Sequence, residues 1–139
     1  FRLTNIQAAL GVAQLEQLPE FLKRKREIYQ KYVESMGNIE HLEMAPLPDY
    51  SDNNHWMNLV QIDSEHYSED RETLMQRLEN NGIQTRPVWT LNHLQVPYRN
   101  CQTYRIKKAE ELVYNSLCLP SSTNLTENNL NQVIAQLNG

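Results

Sequence analysis

Helical signals fill the first 36 residues of this chain, and they confine the fold to classes that open on a long helical segment. Thr4 followed by Gln7 matches a capping box, in which each side chain satisfies a free backbone donor at the helix start. Ile6, Ala9, Leu10 and Ala13 then recur at helical spacing. Pro19 would interrupt a helix interior but suits a first turn. The expected pattern is a helix from Thr4 to about Gln17, a bend, and a second helix from Pro19 to about Met36. The second carries Phe21, Leu22, Ile28, Tyr29, Tyr32 and Val33 on one side, and Gly37-Asn38 would close it with a left-handed cap.

The middle of the chain changes character. Ile39 to Met44 reads as a short strand stopped by Pro46 and Pro48, and "PLPDYSDNN" has loop composition. "HWMNLVQID" is apolar on both faces, as a central, buried strand is. Ser68 is expected to cap a helix with an acidic first turn (Glu69, Asp70, Glu72) and a buried stripe of Leu74, Met75 and Leu78. Asn80-Asn81-Gly82 closes that helix, and "IQTRPVW" reads as another strand. "TLNHLQVPYRN" is irregular. A helix over Gln102–Leu117 should turn Tyr104, Ala109, Leu112 and Val113 inward. "LCLPSST" is extended, and Thr126 caps a last helix with Leu130, Val133, Ile134 and Leu137 inside. The expected class is α/β (α+β): a short, mostly antiparallel sheet packed by helices, in a single domain over residues 1–139.

Charge narrows the function classes. Thirteen basic against 17 acidic residues give a net charge of −4, which argues against nucleic acid as main partner. No apolar run approaches the ~20 residues that a membrane span requires. Two cysteines, Cys101 and Cys118, make neither a disulfide framework nor a metal cluster, so a reduced, cytoplasmic setting is expected. Lys23-Arg24-Lys25-Arg26 lies among Glu20, Glu27 and Glu34 and reads as a solvated helix face rather than a phosphate site.

Four histidines (41, 55, 66 and 93) show no i, i+4 pairing and no cysteine at ligand spacing, so no metal site is expected. His93 stands apart because it follows a strand in the irregular "RPVWTLNHLQVPY", where loops on a rigid scaffold hold binding groups. The competing reading is an exposed loop residue. Arg86 precedes Pro87, which forces extended geometry on it and gives its guanidinium a defined direction. A guanidinium so held suits a carboxylate or phosphate; the competing reading is a structural ion pair. Lysines 23, 25, 31, 107 and 108 fall on polar helix faces, without the desolvated setting that a Schiff-base lysine needs. With no Gly-rich phosphate loop and no nucleophile elbow, these residues alone contain no catalytic centre.

Three blocks nevertheless carry a resemblance. "FRLTNIQAALGVAQLEQLPEFLKRKREIYQKY" is similar to the segment that opens the small C-terminal part of the DegT/DnrJ/StrS-type sugar aminotransferases. "TRPVWTLNHLQVPY" and "SLCLPSSTNLTENNLNQVIAQL" resemble two later blocks of that family, in the same order. The resemblance implies a fold-type-I enzyme of the aspartate-aminotransferase fold that uses pyridoxal phosphate to move an amino group from glutamate to a keto-sugar nucleotide. It further implies 4-amino-4,6-dideoxy or legionaminic-type sugars for bacterial surface glycans. Arg2, Arg86, Trp89 and His93 are then expected at a substrate-binding or dimer-shared site of a homodimer. The Schiff-base lysine, the acidic partner of the pyridine nitrogen and the phosphate-binding loop would lie upstream of Phe1, so this chain alone should hold no cofactor and no catalytic residue. Two other readings stay open: a stand-alone binding or dimerisation module, and the dehydratase branch of the same family.

Overall fold

Thr4 starts the first helix as its spacing with Gln7 predicts. Its hydroxyl accepts from the Gln7 N–H, and the Gln7 side chain accepts from the Thr4 N–H. The computed structural model describes residues 3–139. Helix α1 runs from Asn5 to Met36 with Pro19 inside it, so the two helices expected on either side of Pro19 are one. Proline deprives the Leu15 carbonyl of its donor. Residues 9–20 are all exposed, however, and water can take that carbonyl at little cost.

Strands β1 (Leu42–Met44), β2 (Asn58–Ile62), β3 (Arg86–Pro87) and β4 (Ser116–Leu119) form one antiparallel sheet in the order β1-β2-β4-β3. The expected strands at 39–44 and 83–89 are therefore shorter than the apolar pattern suggests. In β3 the reason is Pro87, which has no N–H to continue the ladder. β2 takes the central place expected of it, burying Asn58, Val60 and Ile62 and leaving Leu59 and Gln61 half-buried.

Helix α2 (Arg71–Asn80) is capped by Asp70 rather than Ser68: the Asp70 carboxylate accepts from Thr73 N–H at 2.8 Å. Hydrogen bonding to Thr73, from its side chain first and its N–H second, holds the Asp70 carboxyl below its ordinary pKa. Glu69, expected in the acidic first turn, instead lies 2.9 Å from the Arg77 guanidinium. Gly82 ends α2 at φ 75°, letting the Ile83 N–H return to the Leu78 carbonyl at 2.9 Å. Gly37 does not do the same for α1; its φ of −58° is right-handed, and the helix unwinds through successive turns to Ile39.

Helix α3 (Lys107–Tyr114) starts five residues later than expected, because Arg105 sits at φ 53°, a left-handed backbone that no helix can pass through. Tyr104 is consequently outside the helix and exposed, and Leu112 is exposed as well. Helix α4 (Glu127–Leu137) is capped by Thr126, and Leu130, Val133 and Leu137 are buried, with Ile134 half-buried.

The core gathers Ile28, Tyr32 and Met36 of α1, Leu74 and Leu78 of α2, and Leu130, Val133 and Leu137 of α4 against Val60, Ile62, Leu117 and Leu119. Residues 28, 32 and 36 recur every fourth position, so Val33, expected inside, turns outward. The same stripe explains the basic run. Arg24 and Lys25 precede Ile28 by four and three positions, and their side chains run along the core's rim instead of standing free in water. Arg24 meets Glu127 and the Leu125 carbonyl, Lys25 Nζ donates to the Ser121 carbonyl at 2.7 Å, and Arg26 reaches Asp52 at 3.0 Å. Arg24 and Lys25 fasten α1 to the loop between β4 and α4 and to the start of α4, and Arg26 ties it to the loop between β1 and β2.

Candidate functional site

The segment after β3 owes its position to the end of the ladder. Once Pro87 stops the pairing, the chain leaves the sheet and forms two single 3-10 turns, Asn92–Leu94 and Val96–Tyr98. Its own side chains brace it: Gln95 Nε2 donates to the Thr90 carbonyl at 3.1 Å, and Arg99 Nε to the Leu94 carbonyl at 3.3 Å. An open hollow of about 590 Å³ forms between this segment and the start of α3. Trp89, His93, Tyr98, Tyr104 and Ala109 are among its walls.

His93 is half-buried. Its side chain is only 18 % exposed, and Nε2 lies 3.4 Å from Glu110 Oε1 on α3. The reading of His93 as a simple exposed loop residue therefore fails. Trp89 keeps 58 % of its surface open and stands against Trp56, itself 59 % exposed, with ring centroids 6.1 Å apart and planes inclined by 43°. Two large aromatic faces left in water are costly for a core and useful for a ligand.

Arg86 sits across from Cys118 in the β3–β4 register and is exposed. Burial raises the Cys118 thiol pKa, while the Arg86 charge acts in the opposite direction. Among the described residues no carboxylate lies within ion-pair distance of Arg86, so the structural ion pair does not form. Arg2 lies outside the described residues. The fold thus brings Trp89 and His93 to one hollow and places Arg86 on the strand that feeds it. Sequence reasoning missed Trp56 and Glu110, because their contacts depend on the tertiary fold; the one available signal was that the chain has only two tryptophans, each beside a strand.

A comparison with protein families decides the wider identity. The model of the DegT/DnrJ/EryC1/StrS aminotransferase family matches residues 1–138. The chain belongs to this family. Among its curated relatives, the GDP-perosamine synthase of Caulobacter vibrioides is 33% identical over 138 residues, covering 99% of this chain and 37% of the relative. EpsN of Bacillus subtilis (strain 168), provisionally named a pyridoxal phosphate-dependent aminotransferase, is 30% identical and covered over 36% of its length. Among solved structures, DesI in the presence of its TDP-sugar product superposes with a TM-score of 0.87 at 26% identity, over 95% of this chain and 34% of that one. The chain therefore spans little more than a third of the relatives it matches. The α/β class with an antiparallel sheet, expected from the sequence, is the fold this family shares.

The described residues do not fit a pyridoxal phosphate anchor in this member of the DegT/DnrJ/EryC1/StrS family. Lys23, Lys107 and Lys108 are exposed, and Lys31 is paired with Glu127. Burial lowers the Lys25 pKa, but its amine is committed to the Ser121 carbonyl at 2.7 Å. None of these amines is free in a pocket.

Proposed function

We propose that this chain, folding as one unit, is the small carboxy-terminal part of a nucleotide-sugar aminotransferase. The reaction assigned to the whole protein moves an amino group from glutamate to a keto-sugar nucleotide for bacterial surface-glycan synthesis. Bound pyridoxal phosphate would supply the electron sink, held by residues outside this chain. The observation that carries the reading is the solvent-open pair Trp56–Trp89 against the His93 hollow. It occurs in a family whose members include a GDP-perosamine synthase and a protein solved with a TDP-sugar product.

Each residue type suits its part. Trp89 and Trp56 offer faces on which a base or sugar ring can stack. Arg86, free of carboxylates among the described residues, can grip a pyrophosphate or a glutamate carboxylate with paired hydrogen bonds. His93, steadied by Glu110, can orient a sugar hydroxyl at the wall of the site. Arg2 is assigned to the same site across a homodimer. The free state of Cys101 and Cys118 supports a cytoplasmic setting.

The test uses the full-length protein with glutamate and a panel of GDP- and TDP-linked keto-sugars. Formation of 2-oxoglutarate is expected with at least one of them, and Trp89→Ala should raise KM for that sugar nucleotide about tenfold while sparing KM for glutamate. No 2-oxoglutarate with any of them would overturn the reaction; equal effects on both substrates would overturn the role of Trp89. Incubating the 139-residue chain with pyridoxal phosphate and borohydride should leave no reduced adduct; a stoichiometric adduct on one lysine would place the anchor inside it.

A further inference from the structure

His41, Asp63 and His66 converge at the β1 edge of the sheet, the edge farthest from Arg86. The register that sets Leu42 opposite Ile62 continues for one more pair, in which the Asp63 N–H donates to the His41 carbonyl at 2.9 Å. A tight turn follows, with the N–H groups of His66 and Tyr67 donating to the Asp63 carbonyl at 3.1 and 2.8 Å. Backbone hydrogen bonds thus fix where all three side chains begin. Asp63 Oδ2 lies 2.8 Å from His66 Nδ1 and 3.6 Å from His41 Nδ1. The second distance is too long for a hydrogen bond.

One ligand atom from each of the three lies within 4.8 Å of the others. A tetrahedral ion bound at about 2.0–2.1 Å needs its ligand atoms about 3.3 Å apart, a value that the two measured separations bracket. His41 holds a left-handed backbone at φ 67°, a conformation that histidine tolerates better than most residues. Glu40 Oε2, 4.0 Å from His41 Nε2, adds negative charge beside the group without a hydrogen bond to the ring. His41 and Asp63 also border an open hollow of about 730 Å³, so an ion has a path from solvent.

We propose that His41, Asp63 and His66 bind a divalent transition-metal ion, zinc above all, leaving its fourth position to water or to a group on another molecule. Asp63 and His66 are three residues apart, but His41 is joined to them only by strand register, which is why ligand spacing in the sequence pointed to no metal site. Imidazole nitrogens suit zinc, copper and nickel, and two of them with one carboxylate exclude the hard, all-oxygen preference of magnesium and calcium.

The full chain, stripped with a chelator and dialysed, is titrated with zinc sulfate in a calorimeter. One zinc per chain is expected. His66→Ala should weaken the affinity by about tenfold or more, and His41→Asn, chosen because asparagine accepts a left-handed backbone, should do the same. Cys101→Ser should leave it unchanged, since that exposed thiol is the other soft ligand on the surface. Circular dichroism confirms that each variant is folded; should one fail, the other decides. Absence of zinc binding, equal affinity in wild type and histidine variants, or loss on Cys101→Ser would each overturn the assignment.

Discussion

Trp56, just before β2, and Trp89, just after β3, meet with their planes tilted by 43° and 6.1 Å between ring centroids, and more than half of each stays open to solvent. An aromatic pair of this kind stabilises itself by about 0.5–1.5 kcal/mol beyond area burial, yet leaves a broad apolar surface wet. If the pair is a stacking platform, its two members act as a unit. In the full-length protein, Trp56→Ala and Trp89→Ala should each raise KM for the sugar nucleotide, and the double variant should cost less than the two added together. Steady-state kinetics on the four proteins checks this; strict additivity would mean that the two rings act independently, and a silent single variant that only one ring meets the ligand.

A second expectation concerns Asn58. Its side chain is 1% exposed, on the face of β2 that also buries Val60 and Ile62. Neither its Nδ2 nor its Oδ1 has a hydrogen-bond partner, and the Oγ1 of half-buried Thr85 is equally alone. The register pairs Asn58 with Leu119, and Arg86 with Cys118, so the next position back on β3 brings Thr85 to the other side of Leu119. An unpaired buried amide costs about 1–3 kcal/mol. Asn58→Leu, nearly the same shape without the polar atoms, should therefore raise stability by about 1 kcal/mol. A urea melt that shows lower stability would mean that the amide is satisfied within the whole protein.

Burial and hydrogen bonding at Tyr32 predict how stability responds to alkali. Tyr32 is fully buried in the core, and its hydroxyl donates to the Pro120 carbonyl at 3.0 Å. Burial holds its pKa far above the ordinary 10.0. A hydroxyl with a raised folded-state pKa contributes stability that is complete below the unfolded value and lost as pH rises past it. Wild type should accordingly lose stability from about pH 10 upward, and Tyr32→Phe should lose less over that range. Tyr29 and Tyr67 shift in the same direction, so the difference between the two proteins is the informative quantity. At neutral pH the same substitution should cost about 1 kcal/mol, from the orphaned Pro120 carbonyl. Parallel alkaline slopes in wild type and variant would contradict the assignment.

Much of this architecture could be read from local chemistry. Thr4 and Thr126 mark helix starts because a hydroxyl three residues ahead of an amide side chain satisfies backbone donors whatever the fold does. The inward stripes of α2 and α4 follow from periodicity alone. The errors fall where tertiary context overrides a local rule. Pro19 reads as a boundary, but full exposure lets water replace the lost bond; Ser68 reads as a cap, but the Asp70 carboxylate two residues on binds the first turn more strongly. Arg105 carries no sequence mark of its left-handed backbone, and so α3 begins later than its composition suggests. Trp89 and His93 share a segment, so their nearness to each other could be read from the sequence. The places of Trp56 and the His41–Asp63–His66 group could not, since strand register creates them.

The amino-terminal half of α1 supports the last expectation. Leu3, Ile6 and Leu10 are 73%, 76% and 63% exposed; Ile6 and Leu10, four residues apart, share one face of α1, and Leu3 lies just before its cap. A core does not explain this face: the buried residues of α1 are Ile28, Tyr32 and Met36, all in its other half. An apolar stripe that the chain leaves uncovered favours contact with a second surface, and in the isolated chain the surface at hand is another copy. Light scattering should report a mass above the monomer at tens of micromolar, falling to the monomer in an Ile6→Glu, Leu10→Glu double variant. Because both positions are exposed and far from the core, the substitutions should change the melting temperature of the folded unit little. A wild-type chain that scatters as a monomer at that concentration would show that the stripe is covered only by other parts of the whole protein, and a double variant that unfolds would show that α1 packs more closely than its exposure indicates.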